Sequence, residues 1–279
     1  MMKNRIVQRR IAVIMSIYKN DVLQYTKLAV ESILNQTYSD FDFYIQYDGP
    51  VKDDVDAYLS SLKDSRVFIQ RRLENKGLAQ SLNDLLAIVL PKGYEYIARM
   101  DADDISKPER FEKQIAFLQG HPDIDMVGGA INEIDGEGHD RGKTTRYPCS
   151  AEDCRRFFAK RNPVAHPTVM FGRSFFEKAG WHYPTDFVRN EDTRLWHEGY
   201  KHGCKIANLP DVVLNFRMTD DMFKQRRNGK AFAKSQLKLR KLIAKDLGYG
   251  PMAYIYAFAM YVLMVSPSWV LKIAYKILR

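Results

Sequence analysis

Residues 94–104 read Tyr-Glu-Tyr-Ile-Ala-Arg-Met-Asp-Ala-Asp-Asp, an apolar run that ends in three carboxylates within four positions. Carboxylates at the end of a buried strand repel one another and are costly to desolvate, so they need a compensating partner. Mg²⁺ or Mn²⁺, held together with the phosphates of a substrate, would supply it, because hard cations prefer oxygen ligands. The alternative is a solvated acidic turn. We favour the cation because the preceding run is typical of a strand in a sheet interior.

Short apolar runs alternate with amphipathic segments over the first hundred residues. This alternation predicts a parallel sheet whose crossover connections are helices. The strands are expected at 11–15, 41–47, 67–70 and 94–101, and the helices at 22–36, 53–62 and 78–90.

Polar residues follow three of the expected strands. They lie at 16–21, at Asp48-Gly49 and at 101–104. Because ligands of parallel sheets bind outside the carboxyl ends of the strands, we expect the three clusters to line one crevice. The second half is less regular, with helices expected at 108–119, 174–179 and 193–202, strands at 126–127 and 166–171, and a loop or hairpin at 128–142.

Composition limits the possible partners of the 279-residue chain. Residues 224–279 carry 12 Lys/Arg against one acid, whereas the other 223 residues hold 31 basic and 33 acidic side chains. A near-neutral body argues against nucleic-acid binding, and a basic tail is typical of attraction to an anionic surface. The three cysteines, odd in number and without metal-finger spacing, fit a reduced, cytoplasmic setting.

Group-transfer chemistry suggests candidate roles for individual acids. A divalent cation at Asp103, beside a nucleotide diphosphate, would neutralise charge that develops on a departing phosphate. Asp48 can accept a hydrogen bond from a base, Tyr18 can stack on that base, and Asp101 can accept from ribose hydroxyls. The incoming hydroxyl also needs a proton acceptor, for which Asp192 is the leading candidate. Helix capping is the alternative explanation for an acid at that position.

Six motifs occur in a fixed order along residues 10–217. They are Ser16-x-Tyr18, Tyr-Asp-Gly-Pro at 47–50, Asn75-x-Gly77, the acidic stretch at 99–104, His166-Pro-Thr168 and Asn190-Glu-Asp-x-x-Leu-Trp196. In this order they resemble the inverting glycosyltransferases of family 2, in the bacterial branch that builds surface polysaccharides such as O-antigen and exopolysaccharide. The resemblance implies an α/β fold of the GT-A type, with helices around a mostly parallel central sheet. It also implies a nucleotide-sugar donor and Mn²⁺ or Mg²⁺.

The resemblance further implies roles for particular side chains. Relatives often end this region with Tyr-Arg-x-His, whereas this chain has Phe-Arg-Met-Thr at 216–219, so only the arginine is left to contact the diphosphate. A buried structural histidine is as good an explanation for His166 as a site residue. The implied set is Ser16, Tyr18, Asp48, Arg99, Asp101, Asp104 and Arg217 for the nucleotide sugar, Asp103 for the metal, Asp192 as the base, and His166 and Glu191 near the acceptor.

The C-terminal segment combines a basic and an apolar part. Residues 223–245 carry nine basic side chains and no acid, and residues 251–265 are 15 apolar residues. At ~1.5 Å per residue the apolar part gives about 22 Å of helix, shorter than a bilayer core of about 30 Å. We therefore expect a helix in the membrane interface, and Tyr254, Tyr256, Tyr261 and Trp269 fit an interfacial belt. Packing on the domain or on a second subunit is the alternative.

Together these features predict a metal-dependent hexosyltransferase at the cytoplasmic face of the bacterial inner membrane. It would move a sugar from a UDP-sugar to a polyprenyl-diphosphate-linked saccharide. The expected domains are a GT-A catalytic domain at 1–220, with a nucleotide-binding half (1–104) and an acceptor half (105–220), and a basic helical tail at 221–279. Through residues 224–279 the chain would contact an anionic membrane surface or form a homodimer. The alternatives are a sugar nucleotidyltransferase, whose usual glycine-rich loop after the first strand is missing at 16–21, and a non-catalytic membrane-surface adaptor.

Overall fold

The N-terminal half has the alternating elements that its sequence predicts. The computed structural model describes residues 11–180, 182–187, 189–219 and 230–266. In chain order its first elements are β1 (Ile11–Ile17), α1 (Leu23–Leu34), β2 (Phe41–Tyr47), α2 (Asp53–Ser61), β3 (Val67–Arg71), α3 (Leu78–Val89) and β4 (Tyr96–Met100).

The second half is built from shorter and more varied elements. A 3₁₀ turn at His166–Thr168 precedes the short strand Met170–Gly172, where the sequence predicted a single strand from 166 to 171. The elements are β5 (Ile105–Ser106), α4 (Arg110–Gly120), β6 (Met126–Ile134), β7 (Asp140–Thr145), α5 (Ala151–Phe158), β8 (Met170–Gly172), α6 (Arg173–Ala179), α7 (Glu191–Lys201), β9 (Ile206–Arg217), α8 (Lys230–Asp246) and α9 (Pro251–Val265).

All nine strands belong to one sheet, in the order β3-β2-β1-β4-β8-β6-β9-β5, with β7 paired to β6. The expected α/β class is confirmed, but the expected mostly parallel sheet is wrong, because four of the eight strand pairings in the described chain are antiparallel. Strands β1 to β4 pair in parallel, as helical crossovers require. A short hairpin makes β6 and β7 antiparallel neighbours, whereas the other three antiparallel pairings join strands that are far apart in the chain.

Two hydrophobic cores cover the two faces of the sheet. Successive residues of β1 alternate between them: Ile11, Val13 and Met15 lie in one core, and Ala12 and Ile14 in the other. Because both faces are buried, the strand is a continuous apolar run rather than an alternating one. The helices therefore hold the strand ends in fixed positions at the carboxyl edge.

Helix α8 packs against the second hydrophobic core and against α7 rather than standing apart from the rest of the described chain. Its Leu239 and Ile243 are buried in the second core, and Asp246 lies 3.2 Å from His197 in α7. Helix α9 buries Ala253 and Ala257. It exposes several large apolar side chains, namely Met252, Tyr254, Ile255, Phe258, Val262 and Val265.

A helix that crosses a bilayer must be both long and apolar. Within the described ranges, none is long and apolar enough to span a membrane. The expected belt residue Trp269 and the last basic residues of the tail lie outside the described residues.

Candidate active site

The carboxyl ends of β1, β2 and β4 lie side by side, because these strands are parallel neighbours. Ile17 pairs with Tyr47, and Met15 with Met100. Asp48, directly after β2, donates its N–H to the Ile17 carbonyl at 2.7 Å. The three polar clusters that follow these strands therefore line the same edge, as the sequence predicts.

Three aspartates form an acid cluster at the end of β4. One carboxylate oxygen each from Asp101, Asp103 and Asp104 lies within 4.8 Å of the others. Asp104 is 1% exposed, and its Oδ2 has no hydrogen-bond partner among the described residues. Burial raises the pKa of Asp104 well above its usual range, and the charges of Asp103 and Asp101 act in the same direction. The cluster thus contains a buried carboxylate oxygen, Oδ2 of Asp104, that accepts no hydrogen bond from a described residue.

Arg217, at the end of β9, forms hydrogen bonds that hold the acid cluster in place. Its main-chain N–H donates to Asp104 Oδ1 at 2.8 Å, and its Nε donates to the Asp103 carbonyl at 2.8 Å. Its Nη1 donates to the carbonyls of Asp135 and Gly136, both at 2.9 Å. Nη2 is buried without a partner within the described part of the chain. Arg217, which the sequence predicts to contact the diphosphate, therefore mainly holds the turn that carries Asp103 and Asp104.

Arg99 connects the acid cluster to the second half of the chain. Its side chain is 2% exposed and forms a two-pronged ion pair with Asp101, in which Nη1 lies 2.6 Å from Oδ2. Arg110 lies beneath it and donates to the Arg99 carbonyl at 2.9 Å. Burial, followed by the Arg99 charge, lowers the pKa of Arg110 to about 9. Arg99 therefore orients Asp101 in the site.

Asp48 is held in a tight turn between two loops. Its carboxylate accepts hydrogen bonds from the N–H of Lys76 at 2.8 Å and of Gly77 at 3.0 Å, and from Arg72. Gly49 has φ +80°, and a Cβ there would lie 2.8 Å from the Asn75 nitrogen. The predicted base-binding aspartate and the Asn75-x-Gly77 motif are therefore one unit.

Ser16 and Tyr18 stand at the end of β1, beside Asp48. Ser16 is the penultimate residue of the strand, whereas the sequence placed it in the following loop. The N–H of Tyr18 donates to Asp21 Oδ2 at 2.9 Å, which closes the turn after the strand. Both side chains are partly exposed at the carboxyl edge.

Glu191 and Asp192 begin helix α7. Asp192 Oδ2 accepts from Asn162 Nδ2 at 3.0 Å, and Oδ1 accepts from the hydroxyl of Thr193 at 3.1 Å. Burial raises the pKa of Asp192, while hydrogen bonds from Thr193 and the charge of Arg99 act in the opposite direction. A raised pKa suits a carboxylate that accepts a proton near neutral pH.

The start of α7 and the acid cluster share one electrostatic neighbourhood. Burial, the charge of Asp192 and, more weakly, the charge of Asp101 raise the pKa of Glu191 to about 7. Burial raises the pKa of Tyr183, and the charges of Asp192, Glu191 and Asp101 add to that effect. Charges influence one another in this way only across short distances. The two acidic motifs, about ninety residues apart in sequence, therefore face one region.

His166 lies between these groups as a buried, neutral ring. Its Nε2 is 3.0 Å from the Tyr183 hydroxyl, and its ring packs edge-on against Trp196. Burial and the Arg99 charge hold the pKa of His166 well below its usual range. The ring thus positions Tyr183 in this structure.

Sequence reasoning missed several residues that shape the site. Arg72 directly follows β3 and so lies at the same sheet edge as the predicted clusters, which is a signal the sequence contains. Asn162 and Tyr183 carry no comparable signal, because loops bring Asn162 to Asp192 and Tyr183 to His166, whereas Thr193 directly follows Asp192 in the chain.

The acid cluster fits a hard divalent cation. Three carboxylates within 4.8 Å, one of them buried with an oxygen lacking a partner in the described chain, are the all-oxygen donor set that Mn²⁺ and Mg²⁺ take. Such a site at the carboxyl edge of parallel strands is typical of proteins that bind a nucleoside diphosphate together with a cation.

Comparison with known proteins identifies the family. The model described as Glycosyl transferase family 2 matches residues 12–180. The chain therefore belongs to glycosyl transferase family 2, and the resemblance seen in its motifs is confirmed.

Individual relatives agree with this assignment. Amylovoran biosynthesis glycosyltransferase AmsE of Erwinia amylovora is 34% identical over 241 residues, which cover 85% of this chain and 88% of that protein. The UDP-Gal:alpha-D-GlcNAc-diphosphoundecaprenol beta-1,3-galactosyltransferase of Escherichia coli is 26% identical over 82% of this chain and 81% of that protein.

A solved structure shows the same fold. The crystal structure of S. aureus TarS 1-349 in complex with UDP-GlcNAc superposes with a TM-score of 0.64 at 14% identity, covering 90% of this chain and 70% of that one. In a longer TarS crystal structure, the matched part covers 43% of the TarS chain.

Proposed function

We propose that this chain is an inverting glycosyltransferase that moves a sugar from a UDP-sugar to a polyprenyl-diphosphate-linked saccharide in the synthesis of a bacterial O-antigen or exopolysaccharide. The observation that supports it most is the shared electrostatic neighbourhood of the acid cluster and the Glu191-Asp192 pair. One group of acids can hold a donor while the other meets an acceptor.

The donor would lie along the carboxyl edge of β1, β2 and β4. Ser16, Tyr18 and Asp48 would contact the base, and Asp101, oriented by Arg99, the ribose. Mn²⁺ or Mg²⁺, when bound at Asp103 with Asp104 beside it, neutralises charge on the leaving diphosphate. The Nη2 of Arg217, which lacks a partner within the described residues, is available for the same diphosphate. UDP-GlcNAc in the TarS complex supports a UDP-sugar as the donor class.

The acceptor hydroxyl would lose its proton to Asp192 as it attacks the sugar. A single displacement inverts the anomeric centre, and one base is sufficient for it. Glu191 lies beside that base, and His166 holds Tyr183 next to it. The diphosphoundecaprenol substrate named for the Escherichia coli relative supports a lipid-linked acceptor.

The exposed face of α9 supports a place at the membrane surface. Met252, Ile255 and Phe258 are 66%, 59% and 57% exposed, and the preceding helix α8 carries lysines. Apolar side chains next to cations bind an anionic lipid surface. We therefore retain 221–279 as the membrane-binding tail of a catalytic domain at 1–220, and the cytoplasmic face of the inner membrane as its location. A homodimer through the same face is the alternative.

Three measurements separate this proposal from its alternatives. Purified protein, a panel of UDP-sugars, Mn²⁺ and a polyprenyl-diphosphate saccharide should release UDP, and Asp103→Ala or Asp192→Ala should abolish the release. Diphosphate release from a nucleoside triphosphate would favour a nucleotidyltransferase instead. Lipid binding without any affinity for UDP and Mn²⁺ in calorimetry would favour an adaptor.

A further inference from the structure

Three side chains from separate parts of the chain form a hydrogen-bonded series that ends at Asp192. Arg240 Nη2, in helix α8, donates to Asn162 Oδ1 at 3.1 Å. Asn162 Nδ2 donates in turn to Asp192 Oδ2 at 3.0 Å. The series runs from a helix beyond residue 220 to the acid that the proposed function uses as its base.

The chemistry of arginine sets the orientation of the amide in the middle of this series. A guanidinium carries donors only, so the group that faces Arg240 must be the amide oxygen of Asn162. The amide nitrogen then faces Asp192 and also donates to Thr193 Oγ1 at 2.8 Å. Without Arg240 the amide oxygen would lose its charged donor, and Asn162 would be held less firmly against the Asp192 carboxylate.

Arg240 is itself held in place by two further contacts. Its Nη1 donates to the Phe158 carbonyl at 3.0 Å, and its guanidinium lies 5.5 Å from the centre of the Phe158 ring. One helical turn earlier, Gln236 donates to Asn190, the residue that precedes α7. Helix α8 therefore reaches the start of α7 directly through Gln236 and indirectly through Arg240 and Asn162.

We propose that Arg240 is a positioning residue for the carboxylate of Asp192 and acts on it through Asn162. The inference rests on the proposed function, in which Asp192 accepts the proton of the acceptor. It makes α8 part of the machinery that prepares the base, in addition to its place in the tail.

Several charged groups act on Asp192 from the elements around it. Arg240 in α8 and Arg99 in β4 favour its ionised form, and Glu191 on its own helix disfavours it. Tyr183 faces it as a neutral phenol. Loss of the Arg240 cation should therefore raise the pKa of Asp192, because one of its two stabilising cations is removed.

The test titrates Asp192 directly. Protein with ¹³C-labelled aspartate carboxyls is followed by NMR against pH, and the Asp192 signal is identified by its loss in Asp192→Asn. We expect Arg240→Met to move the Asp192 titration to higher pH and Arg240→Lys, which keeps the charge, to restore most of it. Lys241→Met is the matched control, because it removes the same charge from the exposed neighbouring position of α8.

Kinetics with the UDP-sugar and lipid-linked acceptor give the second measurement. Arg240→Met should lower kcat about 10-fold with the donor KM unchanged, since a displaced base affects the chemical step alone. Added to Asn162→Ala, it should produce little further loss, because both act through one series. An unmoved titration in Arg240→Met, or losses that add in full, would overturn the inference. A shifted titration in a protein that turns over no UDP-sugar would uphold the positioning of Asp192 and reject the proposed function instead.

Discussion

The main-chain N–H of Arg217 donates a 2.8 Å hydrogen bond to Asp104 Oδ1, across 113 residues of sequence. This bond and the side-chain bonds of the same residue join strand β9 to the acid cluster. The geometry of a potential metal site thus depends on β9, which lies far from the aspartates in the chain.

Arg217→Met should destabilise the protein and weaken binding of UDP with Mn²⁺. The partly buried carbonyls of Asp103, Asp135 and Gly136 would lose their donor, and a fully buried acceptor left unsatisfied costs about 1–3 kcal/mol. We expect a fall of about 3 kcal/mol in the free energy of unfolding, measured in urea. Arg146→Met is the control, because Arg146 binds a single carbonyl, that of Pro210, at the surface. An equal loss in both variants would contradict the supporting role of Arg217.

Asp103→Asn should separate metal binding from folding. The change removes one of three mutually repelling carboxylates, so the protein without metal should be at least as stable as the wild type. Mn²⁺ and UDP together should raise the Tm of the wild type, because at a hundredfold excess over Kd they add about 2.7 kcal/mol to the free energy of unfolding. The Tm of the variant should not change.

The exposed group Asp135, Glu137 and His139 offers a control for this measurement. Its ligand atoms also lie within 4.8 Å of one another, at the surface. Glu137→Gln should leave the Mn²⁺-dependent rise in Tm intact. A rise that disappears in Glu137→Gln and persists in Asp103→Asn would move the metal site to the hairpin.

Sequence alone was sufficient for the carboxyl edge of the first four strands. Strand β2 begins and ends where its apolar run predicts, and Asp48 and Asp101 emerge at the same edge, on either side of β1, because parallel strands fix that edge. Helix α9 likewise covers the apolar run from Pro251 to Val265. Local pattern and tertiary structure agree at these positions.

The rest of the site depends on contacts that no local pattern encodes. Of the four antiparallel pairings, only β6–β7 joins strands that are close in sequence, and a local hydrophobic pattern does not specify which distant strands pair with one another. Asn162 reaches Asp192 through a loop, and Arg240 reaches Asn162 through the packing of α8. The basic character of 223–245 predicted attraction to an anionic surface, whereas Arg240 is turned into the protein.

The Glu191-Asp192 pair should produce a pH dependence in both activity and stability. The folded pKa of Glu191, raised to about 7 by burial and by Asp192, lies above the ordinary value of 4.5. The folded protein therefore binds more protons than the unfolded chain between about pH 4.5 and 7, and stability falls as pH rises through that window. Glu191→Gln should remove this fall, so the gain in Tm over the wild type should grow from pH 5 to pH 8.

The same variant should leave Asp192 easier to ionise, because a like charge has been removed. The acidic limb of kcat should then move to lower pH in Glu191→Gln, while Asp192→Asn should abolish turnover. Loss of all turnover in Glu191→Gln, with turnover retained in Asp192→Asn, would exchange the roles of the two acids.

Gly49→Ala should damage the turn that holds Asp48. Its φ of +80° is unfavourable for alanine, and the added Cβ would meet the Asn75 nitrogen at 2.8 Å. Gly142→Ala provides a matched control, with φ +66° and no atom within 4 Å of the added Cβ. We expect Gly142→Ala to cost about 1 kcal/mol and Gly49→Ala clearly more, with weaker UDP binding only in the latter. Equal UDP affinity in both variants would show that this turn takes no part in nucleotide binding.

The apolar face of α9 should determine membrane association. Ile255→Glu and Phe258→Glu should each reduce co-sedimentation with vesicles of anionic phospholipid, because each places a charge where apolar area would enter the headgroup region. Leu73→Glu is the control, since Leu73 is 91% exposed and lies outside α9. Sedimentation velocity of the same variants without lipid tests the dimer alternative. A wild-type dimer that α9 substitutions dissociate, combined with vesicle binding that they leave unchanged, would assign this face to a second copy of the chain.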